Sequence, residues 1–160
     1  MTDFTIRPAR AHDAIAIAEM VSGLAEHHSD VAQMSAEDVV FLCFGPAPWL
    51  TLIVAETGDK LLGYAALQRK VQLQFARRLM EVHHLFVTSD ARGRGIGSAL
   101  IDASCQHAWS IGCKGVTLGV MEHNSAAQAF YRAHWFSIAE PNGSVQMLRR
   151  FDLPLGQGAQ

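Results

Sequence analysis

Residues 92–98 read Arg92-Gly93-Arg94-Gly95-Ile96-Gly97-Ser98, and this stretch decides the fold. An apolar strand-like run, Val82-His83-His84-Leu85-Phe86-Val87, precedes it, and a helix-like run, Ala99-Leu100-Ile101, follows. Alternating glycines leave backbone N–H groups free to converge on one object, with no Cβ in the way. A helix that begins inside such a loop adds its orphan N–H groups and the positive end of its dipole. Strand, loop and helix N-terminus together form a cradle for a phosphate or pyrophosphate. A Walker-type loop ends in Gly-Lys-Ser/Thr, and Gly97-Ser98 has no lysine, so that reading fails. A dinucleotide fingerprint needs a third glycine where Ser98 stands and an acid at a later strand end, which Glu122 alone supplies. The loop also falls mid-chain, after hairpin-like strands, where a first βαβ unit is not expected.

Composition narrows the class. A chain of 160 residues, 49% hydrophobic and 18% charged with a formal net charge of −2, reads as one domain with a proper core. The absence of a basic excess argues against nucleic acid as partner. No apolar run approaches the ~18 residues of a membrane span. The start, Met1-Thr2-Asp3-Phe4-Thr5, carries no secretion signal. Cys43, Cys105 and Cys113 are odd in number and lie in apolar surroundings, as reduced, buried thiols of a cytoplasmic protein do.

Outward from the loop, periodicity predicts an α/β order. Phe4–Arg7 is a short strand closed by Pro8, and Asp13 caps or charges a helix carrying Ile17, Met20, Val21 and Leu24. A second helix starts at Ser35 and stops at Gly45-Pro46. Leu50–Ala55 and Leu61–Leu67 form a hairpin around residues 56–60. Met80–Val87 is the central strand, and a helix from Gly95 to Ile111 ends at Gly112. Lys114–Val120 is a strand, and Asn124–Ala133 is a helix with Ala127, Phe130, Tyr131 and His134 on one face. Phe136–Ala139 and Val145–Phe151 close the domain as a hairpin.

Arg92-x-x-Gly95-x-Gly97 resembles the acetyl-CoA pyrophosphate loop of the GNAT superfamily of N-acetyltransferases. Three further landmarks stand in the matching order: Ile6-Arg7-Pro8-Ala9 with Asp13, Val54-Ala55-Glu56 with Leu62-Gly63-Tyr64-Ala65, and Asn124-x-x-Ala127-x-x-Phe130-Tyr131. The resemblance implies one GNAT domain over residues 1–152, a mixed and mostly antiparallel sheet of about six or seven strands flanked by about four helices. Residues 153–160 read as a mobile tail. Phe44-Gly45-x-x-Pro48 and Phe86-Val87 ahead of the loop resemble most the diamine (spermidine/spermine-type) branch. That branch carries acids where this chain has His28 and His83, which assigns both histidines to the acceptor side and predicts an acceptor less cationic than a polyamine.

The resemblance also implies an activity: transfer of acetyl from acetyl-CoA, a co-substrate, to a primary amine of a small molecule in a ternary complex. The backbone of Gly93, Arg94, Gly95, Ile96, Gly97 and Ser98 is assigned to the pyrophosphate, with Arg92 and Arg94 adding charge. Leu85, Phe86 and Val87 are assigned to the pantetheine amides. Asn124 and Ala127 belong to the segment that lines the pantetheine arm, and Tyr131 is the acid that protonates the departing thiolate. Strand alternation puts Glu81, His83, Leu85 and Val87 on one face and Val82, His84 and Phe86 on the other. His83 and Glu81 both match base positions of the family. Adjacent strand histidines face opposite ways, so His83-His84 does not make a metal site, and no metal is expected. A homodimer is expected from the family. An acyl-CoA-binding sensor with weak or no transferase activity is the alternative.

Overall fold

A computed structural model describes residues 3–27, 29–142 and 145–151. Eleven main elements follow one another among them: β1 (Thr5–Pro8), α1 (Ala14–His27), α2 (Ala36–Phe44), β2 (Thr51–Thr57), β3 (Lys60–Gln72), β4 (Arg77–Val87), α3 (Ile96–Ser110), β5 (Gly115–Met121), α4 (Ser125–Ala133), β6 (Ser137–Asn142) and β7 (Val145–Phe151). The strands form one mixed sheet in the order β1-β2-β3-β4-β5-β7-β6. This is the α/β architecture expected from the sequence, with seven strands and four α-helices among the described residues. By internal contact the chain packs as two compact units.

The first unit holds the residues up to Gln68 together with His84–Ser104. Its antiparallel β1-β2-β3 meander turns through Gly58-Asp59, where Gly58 takes φ +56° at no Cβ cost. Ala14, Ile17 and Met20 of α1 recur at helical spacing and bury their side chains with Val39, Leu52, Val54, Tyr64 and Ala66. Ser35 caps α2 as expected: Asp38 N donates to Ser35 Oγ at 3.1 Å and Ser35 N donates to Asp38 Oδ2 at 2.9 Å. Asp13 does more than the expected capping. Arg7 Nη1 and Nη2 donate to its two carboxylate oxygens at 2.8 and 3.0 Å, and Nη2 reaches Glu56 Oε2 at 2.6 Å. Arg10 N also donates to Asp13 Oδ2, at 2.7 Å. One guanidinium thus ties β1, the start of α1 and β2 by charge-assisted bonds.

The second unit holds Arg69–His83 and the residues from Cys105 onward. In it β5 pairs in parallel with β4 (Leu79↔Gly115 to Glu81↔Thr117) and antiparallel with β7. Val116, Thr117, Leu118 and Val120 are buried, as a central strand covered on both faces requires. β3 and β4 run further toward their shared turn than the apolar pattern suggested, because residues 69–78 mix exposed apolar side chains such as Val71 with arginine, lysine and glutamine. Cys105 and Cys113 are buried and Cys43 is half-buried, all three as free thiols; burial pushes the Cys43 thiol up to about 11.

Two helices in this unit end in the same hydrogen-bonded motif with different residues at its critical position. After α3, Cys113 N donates to Ala108 O and Gly112 N to Trp109 O, with Gly112 at φ +83°. After α4, Phe136 N donates to Tyr131 O and Trp135 N to Arg132 O, but the left-handed position is Trp135, at φ +72°. The expected Phe136 strand start is therefore part of this cap, and β6 begins one residue later.

Two outcomes follow. Asp13→Asn removes the anion that Arg7 embraces, and thermal denaturation near pH 7 should show a loss of roughly 1–2 kcal/mol. Arg7 holds the Asp13 carboxyl below its ordinary range, so its stabilisation is present above pH ~4 and lost as pH falls through the lower folded value. The deficit of the variant should accordingly shrink in melts below pH ~4. Trp135→Gly should relieve a left-handed penalty of ~1–2 kcal/mol, offset by glycine's own ~0.5–1 kcal/mol of chain entropy. A Tm raised by roughly 1–4 °C is expected, and a lower Tm would show that the indole is held by more than its backbone.

Candidate active site

In the first unit the site grows from the end of β4. Thr88 N donates to Leu62 O at 2.9 Å, and a short helical turn, Ser89–Ala91, leads into the glycine loop. Gly93 and Gly95 take φ +76° and +80°, and open space lies where a Cβ on either would stand. The first intrahelical bond of α3 runs from Ala99 N to Gly95 O at 3.0 Å, so the N–H groups of Gly95, Ile96 and Gly97 precede the helical ladder. Ile96 is buried and pins the helix start beneath the loop. Both loop arginines are tied down: Arg92 Nε donates to Val87 O at 3.2 Å, and Arg94 pairs with Asp3. Lys60 Nζ likewise meets Asp90 Oδ2 at 2.6 Å.

The β4 residues assigned to a pantetheine-like chain, Leu85, Phe86 and Val87, are half-buried. Phe86 packs across α1, where a Cβ on Gly23 would touch its ring at 3.2 Å. On the β3 side, a Cβ on Gly63 would stand 2.5 Å from Phe86 O and 3.2 Å from Val87 Cα. His84 Nδ1 lies 3.1 Å from Tyr64 Oη, and the Tyr64 and Phe86 rings are 6.1 Å apart. The alternation that grouped His84 with Phe86 is thus borne out by their shared neighbour. The pairing with Tyr64 was not foreseen; its only signal was a tyrosine inside an otherwise apolar, glycine-containing strand.

In the second unit Glu81 Oε2 pairs with Lys70 Nζ at 3.1 Å, and His83 is exposed. Asn124 caps α4 by accepting from Ala127 N at 3.1 Å, and Gln128 Nε2 donates to Glu122 O at 2.7 Å and Met121 O at 3.2 Å. These bonds fix the start of α4 to the end of β5. Tyr131 stands in an aromatic cluster: Phe130 is edge-on at 5.3 Å between centroids, and Phe136 lies at 6.0 Å. The His134 ring meets that of Phe130 at a tilt of 48°, with centroids 4.8 Å apart, which completes the expected helix face. Burial pushes the Tyr131 phenol above its ordinary range, so it carries its proton throughout neutral pH. His28 lies outside the described residues, as do residues 153–160.

The family model of the acetyltransferase (GNAT) family matches residues 17–135. The chain belongs to the GNAT family. An uncharacterised N-acetyltransferase of Methanocaldococcus jannaschii is 34% identical over 99 residues, 61% of this chain and 44% of that relative, so the chain spans under half of its length. Thialysine N-epsilon-acetyltransferase of Sus scrofa is 29% identical over 142 residues, 82% of this chain and 83% of the relative. Among solved structures, a putative acetyltransferase of Salmonella typhimurium with acetyl-CoA superposes with a TM-score of 0.74 at 17% identity, covering 94% of each chain. This GNAT chain shares the fold of that structure. Among its described residues no helix is long and apolar enough to cross a membrane, and no three His, Cys, Asp or Glu side chains gather as a metal site.

Proposed function

We propose that this GNAT chain transfers an acetyl group from acetyl-CoA to a primary amine of a small molecule. The observation that carries the reading is the loop itself: two left-handed glycines with open space over them, set directly between β4 and the first turn of α3. Such a loop offers converging N–H groups to a pyrophosphate, and the tied-down Arg92 and Arg94 keep it in shape. The backbone of Leu85–Val87 pairs with pantetheine amides as an added strand would, and Asn124 and Ala127 belong to the segment along the same arm.

The chemistry needs little beyond orientation and proton management. The amine nitrogen forms a bond to the thioester carbonyl carbon, the C–S bond breaks, and the thiolate takes the phenolic proton of Tyr131. Tyr131 is protonated at neutral pH as any ordinary phenol is, and its burial disfavours phenolate further. The amine's own proton passes to a base on β4, the strand of Glu81 and His83, and through solvent restores the phenol of Tyr131; Glu81 already shares its charge with Lys70. His28 and His83, standing where the diamine branch carries acids, favour an acceptor with less positive charge than a polyamine. The name of the porcine relative specifies the ε-amine of thialysine, a primary amine of an amino acid, which falls within the class of acceptor proposed for this chain.

A screen of monoamines, amino acids and polyamines against acetyl-CoA, following thiol release, tests the reading. Turnover of at least one amine is expected; acetyl-CoA binding with no turnover of any would make the chain an acyl-CoA sensor instead. Gly95→Asp places a side chain and a negative charge in the cradle and should abolish acetyl-CoA binding in calorimetry while the protein stays folded. Unchanged affinity would remove the loop from the site. Tyr131→Phe should leave acetyl-CoA affinity nearly intact and lower kcat roughly ten- to a thousandfold. A variant that turns over at the parent rate would reduce Tyr131 to a packing residue.

A further inference from the structure

The second unit carries eight lysines and arginines against four aspartates and glutamates, in a chain whose net charge is −2. Three of those cations, Arg69 and Lys70 of β3 and Arg78 of β4, line one cavity of about 280 Å³. Leu79, Ile111 and the buried Cys113 belong to the same wall, which places the cavity beside the C-terminal end of α3. Among the described residues no carboxylate belongs to this lining. Lys70 is committed to Glu81, at 3.1 Å. The side chains of Arg69 and Arg78 make no hydrogen bond or ion pair among the described residues. Arg78 is seated nonetheless: its Nη2 lies 2.6 Å from where a Cβ on Gly112 would stand, so the bare backbone of residue 112 gives the guanidinium its place. Both guanidiniums act on Cys113, whose thiol is raised by burial and drawn back first by Arg78 and then by Arg69. Their fields therefore converge on one cavity.

These charges are not balanced among the described residues. Glu81 offsets Lys70, and the negative end of the α3 dipole offsets about half a charge. Roughly one and a half positive charges remain on Arg69 and Arg78. A phosphomonoester carries about −1.5 to −2 at neutral pH, and its oxygens fit the guanidinium fork. Small-molecule sites start at ~300 Å³, so the cavity admits a compact anion and not a nucleotide. We propose that this cavity is a binding site for a small phosphate-bearing anion, held by Arg69 and Arg78. Leu79 and Ile111 offer an organic arm an apolar wall. The site shares no residue with the glycine loop and does not depend on the acetyltransferase reading.

Calorimetric titration at low ionic strength with inorganic phosphate, glycerol 3-phosphate and chloride tests the proposal. Saturable binding of a phosphate probe, with no matching response to chloride, is expected. Arg69→Gln and Arg78→Gln should each weaken it roughly tenfold or more and leave acetyl-CoA affinity unchanged. Arg78→Lys should fall between, because it keeps the charge and loses the fork. Gly95→Asp, which fills the glycine cradle, should leave this phosphate site at full strength. In heteronuclear NMR spectra of the parent protein, phosphate should move the Nε–H resonances of Arg69 and Arg78. Tighter binding of glycerol 3-phosphate identifies an ester as the occupant and the reverse identifies the free ion; either supports the site. Phosphate binding that survives the Arg69→Gln/Arg78→Gln double variant, or that is lost in Gly95→Asp, overturns it. So does phosphate that leaves both arginine resonances in place.

Discussion

The carbonyl oxygen of Phe86 stands 2.5 Å from where a β-carbon on residue 63 would lie, so β3 and β4 approach there only because residue 63 is glycine. Neither partner can give way cheaply, since both are backbone. The approach sets the height of Phe86 and Val87, and the bond from Thr88 N to Leu62 O fixes the next residue. From that point the chain enters the glycine loop. The ring of Phe86 is in turn held by α1, where Gly23 makes room for it. The position of the candidate cradle is thus inherited from two glycines outside it, each buying space that a methyl group would occupy.

A second constraint is electrostatic. Arg7 is only 12% exposed and its charge is shared between Asp13 and Glu56. Removing a guanidinium from water is costly, and the bidentate geometry on Asp13 offsets the cost. The result is specific as well as stabilising, because β1, β2 and the start of α1 must be in register for all three groups to meet. The apolar cluster beneath, from Ile17 to Val54 and Tyr64, needs only burial and tolerates more than one arrangement.

Much of this was legible because the responsible residues act locally. Gly95, Gly112, Ser35 and Asn124 impose turns and caps within a few residues of themselves, and each lies where the sequence put it. The resemblance implied a mostly antiparallel sheet of about six or seven strands but not the order of the seven found, since pairing of distant strands leaves no local mark. What escaped is non-local or against propensity. Asp13 reads as a helix cap until Arg7 and Glu56 are brought beside it. Trp135 occupies a left-handed position that sequence logic reserves for glycine or asparagine. Tyr64 and His84 are twenty residues apart and meet only because β3 and β4 both present them to α1. Glu81, His83 and Tyr131 were legible as candidates by position, but the ion pair of Glu81 with Lys70 was not.

The three cysteines carry a consequence of a practical kind. Cys105 and Cys113 are sealed in the core, and Cys43 holds its proton well into the alkaline range because its surroundings are apolar. A thiol that is neither ionised nor accessible reacts with an alkylating reagent only when the surrounding structure opens. The rate of thiol labelling thus becomes a clock for fluctuation of the native state. Cys105 and Cys113 report on openings of the core with no probe added to the chain, whereas half-buried Cys43 needs no such opening and is slowed by its raised pKa alone.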